Sequence, residues 1–303
     1  MEAISDICNS ATNAAEMSAR EFYRFSEFIY SQCGIKISGA KKIMLESRLR
    51  RRLRCLDMKS YAEYGNYLFS SKGMQDELVH MIDVVTTNKT DFYREPEHFD
   101  YLVRYAVPEL AQSFGAGPGK PLMAWSAGCS TGEEPYTLAM VMNEFAERYT
   151  DMKFRYSILA TDISTRALDK ALFAIYDRDS AEPLPANLKD KYLMKSKDRS
   201  RGLVRIVPVL RQLVKFKRLN FMDADFGIRE PMDIIFCRNV LIYFDRQTQE
   251  KLINKFSRYL VPNGYMFIGH SESMNGMNVP FVAVAPAIYR RISIENRQEL
   301  ERI

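Results

Sequence analysis

At 303 residues the chain is longer than one compact core usually needs, so two domains are expected. A composition of 47% apolar and 27% charged residues excludes a disordered or collagen-like polymer, and apolar runs as short as Val279–Val284, broken by Pro280, exclude a bilayer span. The net charge of +5 is uneven: Lys36, Lys41, Lys42, Arg48, Arg50, Arg51, Arg52 and Arg54 face one acid, Glu46, so this segment carries +7 and the remainder −2. Local basicity asks for an acidic partner.

Five cysteines without paired spacing, and an acidic start where a secretory signal would be basic, predict a reduced, cytoplasmic protein. Three histidines, at 80, 98 and 270, argue against a His-rich metal site, and no metal is expected. Residues 1–17 read as a tail. Ser18-Ala19-Arg20-Glu21 has the form of a capping box, in which the serine takes an orphan amide and the glutamate reaches back. Phe22, Phe25 and Ile29 follow at helical spacing and Gly34 ends the run. Ser60-Tyr61-Ala62-Glu63 repeats the start signal ahead of Tyr64 and Leu68, with Gly73 behind, and Leu78, Ile82 and Val85 predict another short helix. In the basic segment Leu45, Leu49, Leu53 and Leu56 form one stripe. Arg50, Arg51 and Arg54 point away from it and Arg48 and Arg52 flank it. Residues 18–88 thus read as a small all-α domain with an arginine face. Most charge runs are solvated faces. This one has a single sign and lacks the acids three or four residues away that would pair it, which sets docking of an acidic ligand level with that reading; nucleic acid would satisfy it too.

After the loop Gly115–Pro121 the pattern alternates strand and helix. Leu122–Ser126, Tyr156–Ala160, Met232–Cys237 and Tyr265–Ile268 are strand candidates, and Phe281–Ile288 a last one limited by Pro286. Helices are expected from Pro135 to Arg148, from Ser164, and from Gln247 to Leu260. This order implies an α/β fold, a largely parallel sheet with helices on both faces, whose final two strands are antiparallel because no helix can fit between them. Residues 176–219 interrupt the rhythm. Gly202–Val207 and the apolar-basic run Leu213–Leu219 predict an inserted antiparallel β-subdomain.

Ligands of open α/β sheets sit at the carboxyl ends of the strands. Three segments fall there: Trp125–Pro135, Asp162 and Phe236–Val240. Small residues in the first allow close backbone approach, and an acid after the second strand can accept both hydroxyls of a ribose. The turn lacks the third glycine of the dinucleotide fingerprint and the lysine of a P-loop. Glu133 and Glu134 would repel a phosphate at the helix start. A nucleoside with a cationic group and no phosphate fits better, and S-adenosylmethionine is one.

Five segments stand out together: Thr86-Thr87-Asn88-Lys89-Thr90-Asp91-Phe92-Tyr93-Arg94-Glu95, Ser130-Thr131-Gly132-Glu133-Glu134-Pro135-Tyr136, Ala160-Thr161-Asp162-Ile163, Phe236–Asp245 and Gly264–Glu272. In this order and spacing they resemble the motifs of the CheR-type chemoreceptor glutamate methyltransferases, a resemblance that runs over residues 20–290. The resemblance implies a helical domain, a linker over 89–105 and a Rossmann-like class I methyltransferase domain over 106–290 with an inserted β-subdomain, leaving 291–303 as a tail. It implies methyl transfer from S-adenosylmethionine to glutamate side chains of chemoreceptors, giving S-adenosylhomocysteine. On matching positions the cofactor is expected at Asn88, Thr90, Arg94, Glu134, Asp162, Asn220, Phe221, Asn239 and Val240. Phe221-Met222, where the family shows an apolar pair after the asparagine, and Cys129, where small residues are usual, are mild departures.

Arg94 and Tyr243 are expected at the transfer centre. A glutamate is already ionised at neutral pH, so no general base is needed, and the protein's work is alignment at near-attack distance. Arg94 would steer the carboxylate through its planar fork with Tyr243 as hydrogen-bond partner. The plain alternatives are a surface ion pair of Arg94 with Glu95 or Glu97, and ordinary packing of Tyr243. The resemblance makes the acidic partner the cytoplasmic helical bundle of chemoreceptors, met by Arg48, Arg50, Arg51, Arg52 and Arg54, with neither nucleic acid nor membrane insertion. Lys215 and Lys217 could add a receptor C-terminal tail peptide at the β-subdomain; some family members bind one and others do not. A nucleic-acid methyltransferase would carry prolines where Arg238-Asn239-Val240 stands, and Gly269-His270-Ser271-Glu272-Ser273 lacks the second glycine of a hydrolase elbow. His270 therefore reads as structural. A non-catalytic adaptor is the remaining rival, opposed by intact Arg94, Asp162 and Tyr243.

Overall fold

The computed structural model describes residues 16–198, 200 and 202–292, so the proposed tails 1–17 and 291–303 lie almost wholly outside the described residues. Four of their members do not, Glu16, Met17, Arg291 and Ile292: Met17 is buried in a helical core, and Arg291 closes the last strand. The chain forms two units, one running to Thr87 with Ile163–Thr165, the other Asn88–Asp162 and the chain from Arg166.

The first unit holds α1 (Ala19–Cys33), α2 (Lys42–Cys55), α3 (Tyr61–Leu68), α4 (Ser71–Asp76) and α5 (Leu78–Val85). The Ser18 capping box forms as the sequence predicts, with the Ser18 amide donating to Glu21 Oε2 at 2.7 Å and the Glu21 amide to Ser18 Oγ at 3.2 Å. Gly34 ends α1 in the left-handed conformation. Phe25, Ile29, Leu45, Leu49, Leu53, Tyr64, Leu68 and Ile82 meet in one core. Gly73 is a correction. It does not stop α3 but lies inside α4, capped by Ser70, and a Cβ there would collide with the Tyr67 carbonyl.

The second unit opens with α6 (Pro96–Tyr101) and α7 (Val107–Phe114), joined by a π-turn over Leu102–Ala106. It continues with β1 (Leu122–Ala127), α8 (Glu133–Arg148), β2 (Tyr156–Asp162), α9 (Thr165–Phe173, its first residue grouped with the first unit), β3 (Ile175–Asp177), α10 (Ala186–Tyr192), β4 (Leu193–Lys195) and β5 (Leu203–Ile206). The chain ends with α11 (Pro208–Leu213), β6 (Val214–Arg218), β7 (Met232–Cys237), α12 (Arg246–Tyr259), β8 (Leu260–Ile268), β9 (Phe281–Ala285) and β10 (Ile288–Arg291). The main sheet runs β6-β2-β1-β7-β8-β10-β9, parallel from β6 to β8 and antiparallel beyond. Every residue of β7 is buried, as a central strand covered on both faces requires. Alternation sends Ala124, Ile234 and Phe236 into one core with α7 and α8, and Trp125, Ile235 and Cys237 into another with Phe256 of α12.

Two strand assignments change. The run read as a subdomain strand, Val214–Arg218, is the parallel edge strand of the main sheet, paired with β2 through Ile158↔Val214 to Asp162↔Arg218. An apolar-basic alternation marks one wet face but does not say which sheet owns it. The inserted antiparallel sheet is instead β3-β5-β4. The last predicted strand is two, β9 and β10, reversing at Pro286-Ala287 with Ala287 at φ 57°, and β10 is the neighbour of β8.

Candidate active site

The turn from β1 to α8 is built on conformations few side chains adopt: Gly128 at φ 83°, Ser130 at 50° and Gly132 at 97°. The amides of Gly128 and Cys129 donate to the Thr161 carbonyl at 2.8 and 2.9 Å, which fastens the turn to the end of β2. There Asp162 is buried, and its Oδ2 accepts the Ser130 amide at 2.8 Å. The Ser130 hydroxyl donates to the Asn88 carbonyl at 2.9 Å, bringing the segment of Asn88 and Thr90 to the same place. The Leu219 amide donates to the Asp162 carbonyl at 2.9 Å, so Asn220 and Phe221 start beside that acid. Phe221 packs edge-on to Phe256, ring centres 5.2 Å apart.

Glu134 faces inward at the start of α8. Its Oε1 accepts the Ser126 hydroxyl at 2.7 Å and its Oε2 the Arg238 Nε at 2.8 Å. The acid that the sequence offered to a cationic ligand therefore has a cation of the chain beside it. Burial pushes the Glu133 carboxyl above its usual range, opposed by the Thr131 hydroxyl, which donates to it at 2.6 Å.

Arg94 lies between two left-handed residues, Tyr93 and Glu95, both at φ 56°. Glu95 turns to Arg238 and His98, and the Arg94 guanidinium has no hydrogen-bond or ion-pair partner among the described residues, so the alternative of a surface ion pair with Glu95 or Glu97 is not formed. The loop after β7 carries Asn239, Val240 and half-buried Tyr243. Glu272 clamps it by accepting the amides of Asn239 at 2.9 Å, Gly269 at 2.6 Å and Ile242 at 3.2 Å. A Cβ on Gly269 would strike the Asn239 side chain, and one on Gly128 would lie 2.5 Å from Val240 Cγ2, so both glycines permit this loop its close approach. A buried carboxylate at one end and a turn, Gly128–Gly132, that carries no cation suit a nucleoside without phosphates, and S-adenosylmethionine fits this donor set.

Residues 88–289 match the family described as CheR methyltransferase, SAM binding domain, and residues 20–86 match CheR methyltransferase, all-alpha domain. The chain belongs to the CheR methyltransferase family. It is 41% identical to the chemotaxis protein methyltransferase of Borreliella burgdorferi over 271 residues, which cover 89% of this chain and 94% of that one. It is 34% identical over 278 residues to the chemotaxis protein methyltransferase of Escherichia coli, covering 92% and 93%. It is a methyltransferase that uses S-adenosylmethionine.

The arginine face of this CheR chain is smaller than its composition suggests. Arg52 grips Glu77, itself 1% exposed, through two bonds of 2.7 Å, and Tyr64 donates to the same carboxylate at 3.0 Å. Arg48 donates to the Val85 carbonyl and, at 2.9 Å, to Thr87 Oγ1. These two hold the first unit together and are withdrawn as docking residues. Arg50 pairs with Glu46 at 2.5 Å, which corrects the reading that no acid stands at pairing distance along the helix, while Arg54 is half-buried and Arg51 is exposed.

Arg238, His98 and Glu272 were not singled out from the sequence. One signal was present: an arginine ending a wholly apolar strand must find buried partners. Glu95, His98 and His270 bring donor atoms within 4.8 Å of one another, but Arg238 Nη1 donates to His98 Nδ1 at 3.1 Å and lies 3.5 Å from Glu95, so a guanidinium already fills the cation's place. Burial, then Arg238, then His270 push His98 down to about 3 from its ordinary 6.5. The unfolded chain thus takes up this proton first as pH falls, and stability declines from about pH 6.5 towards 3 by up to ~1.4 kcal/mol per unit. In urea titrations at pH 7 and pH 5, His98→Asn is expected to close the gap to wild type by about 2 kcal/mol; parallel pH profiles would show that His98 does not carry this slope.

Proposed function

We propose that this chain esterifies glutamate side chains in the cytoplasmic helical bundle of chemoreceptors. The observation that supports this most is that the Arg94 guanidinium has no hydrogen-bond or ion-pair partner among the described residues, which leaves a cation available to a carboxylate in a reaction that needs no general base. S-adenosylmethionine supplies an electrophilic methyl on a sulfonium and is released as S-adenosylhomocysteine. Asp162 holds the nucleoside end, with Asn88, Thr90, Asn220, Phe221, Asn239 and Val240 around it. Arg94 steers the incoming carboxylate, and the Tyr243 hydroxyl steadies one of its oxygens. A tight grip on both oxygens would blunt the nucleophile, so Arg94 positions rather than activates.

Arg50, Arg51 and Arg54 supply steering towards the acidic receptor segment. With Arg51→Glu and Arg54→Glu together, receptor methylation at low salt is expected to fall about tenfold with S-adenosylhomocysteine affinity unchanged, and the deficit should shrink as salt is added. Equal loss of both would make the helix structural. A tail peptide pairing with the inserted sheet would run along edge strand β3 or β4, not beside Lys215 and Lys217. The function itself is tested with methyl-labelled S-adenosylmethionine and membranes carrying chemoreceptors. Base-labile label on the receptors is expected, whereas label on nucleic acid, or cofactor binding without transfer, would reject the reading.

A further inference from the structure

Arg238 is tied into the site more densely than any substrate-facing residue, yet its side chain is only 2% exposed and cannot itself receive the substrate. Its guanidinium lies beside the stacked rings of Phe99 and Phe236, 5.2 and 5.6 Å from their centres. One edge holds Glu134 at 2.8 Å, and Nη1 donates to the Arg94 carbonyl at 2.7 Å. Around Arg94, Phe92 is fully buried, Tyr93 stacks on Phe99 with ring centres 5.2 Å apart and Glu95 Oε1 accepts the His270 amide at 3.3 Å, while Arg238 is the side chain that holds the Arg94 carbonyl itself. Tyr93 and Glu95 are both left-handed, so no helix or strand ladder runs through them, and the Tyr93 amide is held by Thr137 Oγ1 at 3.2 Å. Single left-handed residues outside glycine persist only where their surroundings over-determine them. Arg238 joins that segment, the first turn of α8 and the end of β7 at one point, one residue before Asn239.

We propose that Arg238 is a positioning residue for methyl transfer, which fixes where the Arg94 guanidinium stands relative to the cofactor cradle by holding the Arg94 carbonyl against Glu134. The proposal rests on the reading of Arg94 as the substrate-steering cation. Misplacement of a steering group by about 1 Å can cost on the order of a hundredfold in rate. The backbone of residue 94 would move before the Asp162 cradle does, because that cradle is fastened separately through Thr161 and Ser130.

Arg238→Lys keeps a charge opposite Glu134, but one ammonium cannot reproduce the fork that spans Glu134 and the Arg94 carbonyl. In the full chain, with receptor-bearing membranes as substrate, kcat is expected to fall about a hundredfold while the calorimetric Kd for S-adenosylhomocysteine stays within about threefold. The second measurement is a double-mutant cycle. Arg94→Ala combined with Arg238→Lys should be no slower than Arg94→Ala alone, because Arg238 acts through Arg94. Losses that multiply, a kcat that falls only in step with cofactor affinity, or an unchanged kcat would each overturn the proposal. An Arg94→Ala variant that turns over normally would overturn the Arg94 reading and this proposal with it. Should Arg238→Lys not fold, Arg238→Gln, whose short amide can donate to Glu134 or to the Arg94 carbonyl but cannot span both, is read the same way.

Discussion

Asp162→Ala is expected to weaken S-adenosylhomocysteine binding about a hundredfold or more. The acid is buried at the end of β2, and its carboxylate can accept both ribose hydroxyls, each bond to a charged group contributing about 1.5–3 kcal/mol. The substitution also leaves the Ser130 amide without its acceptor, which loosens the turn that shapes the pocket. Asp162→Asn retains an acceptor for Ser130 but not the charge, so a loss of about tenfold is expected. Calorimetric titration separates the two variants, and alanine binding like wild type would place the nucleoside elsewhere.

Arg94→Ala should act on the other half of the reaction. Turnover on receptor-bearing membranes is expected to fall about a thousandfold, the scale of losing a charged donor aimed at reacting atoms, while S-adenosylhomocysteine affinity falls tenfold at most. Arg94→Lys keeps the charge and loses the fork, and should fall between. Initial rates and binding measured on the same preparations decide it: losses in equal proportion would make Arg94 a cofactor ligand alone.

Much of this architecture was legible because it rests on short-range chemistry. The Ser18 box, the glycine stop at Gly34 and the apolar runs that become β1, β2 and β7 are local signals, and the structure follows them. Val214–Arg218 was misplaced because a residue alternation reports exposure and not partnership. Pro286 correctly limited a strand, yet the reversal at Ala287 that makes two strands of one depends on a backbone angle no composition reveals. In the site, Asp162 was visible as an acid ending a strand. The Glu272 clamp on the 239–242 loop was not, since its partners are amides contributed by backbone and not by side chains. Arg48 and Arg52 looked free because Glu77 and the Val85 carbonyl lie beyond their own helix.

The position of β6 has one more consequence. An open sheet ends in a row of unsatisfied backbone groups, and a flat rim invites a second molecule to zip onto it. On this rim Lys215, Lys217 and Arg218 stand exposed, and Lys217 reaches over to the Phe226 carbonyl at 2.8 Å. Cations spaced along a rim repel their own copies, so these side chains act as gatekeepers that keep neighbouring molecules apart in a crowded cell.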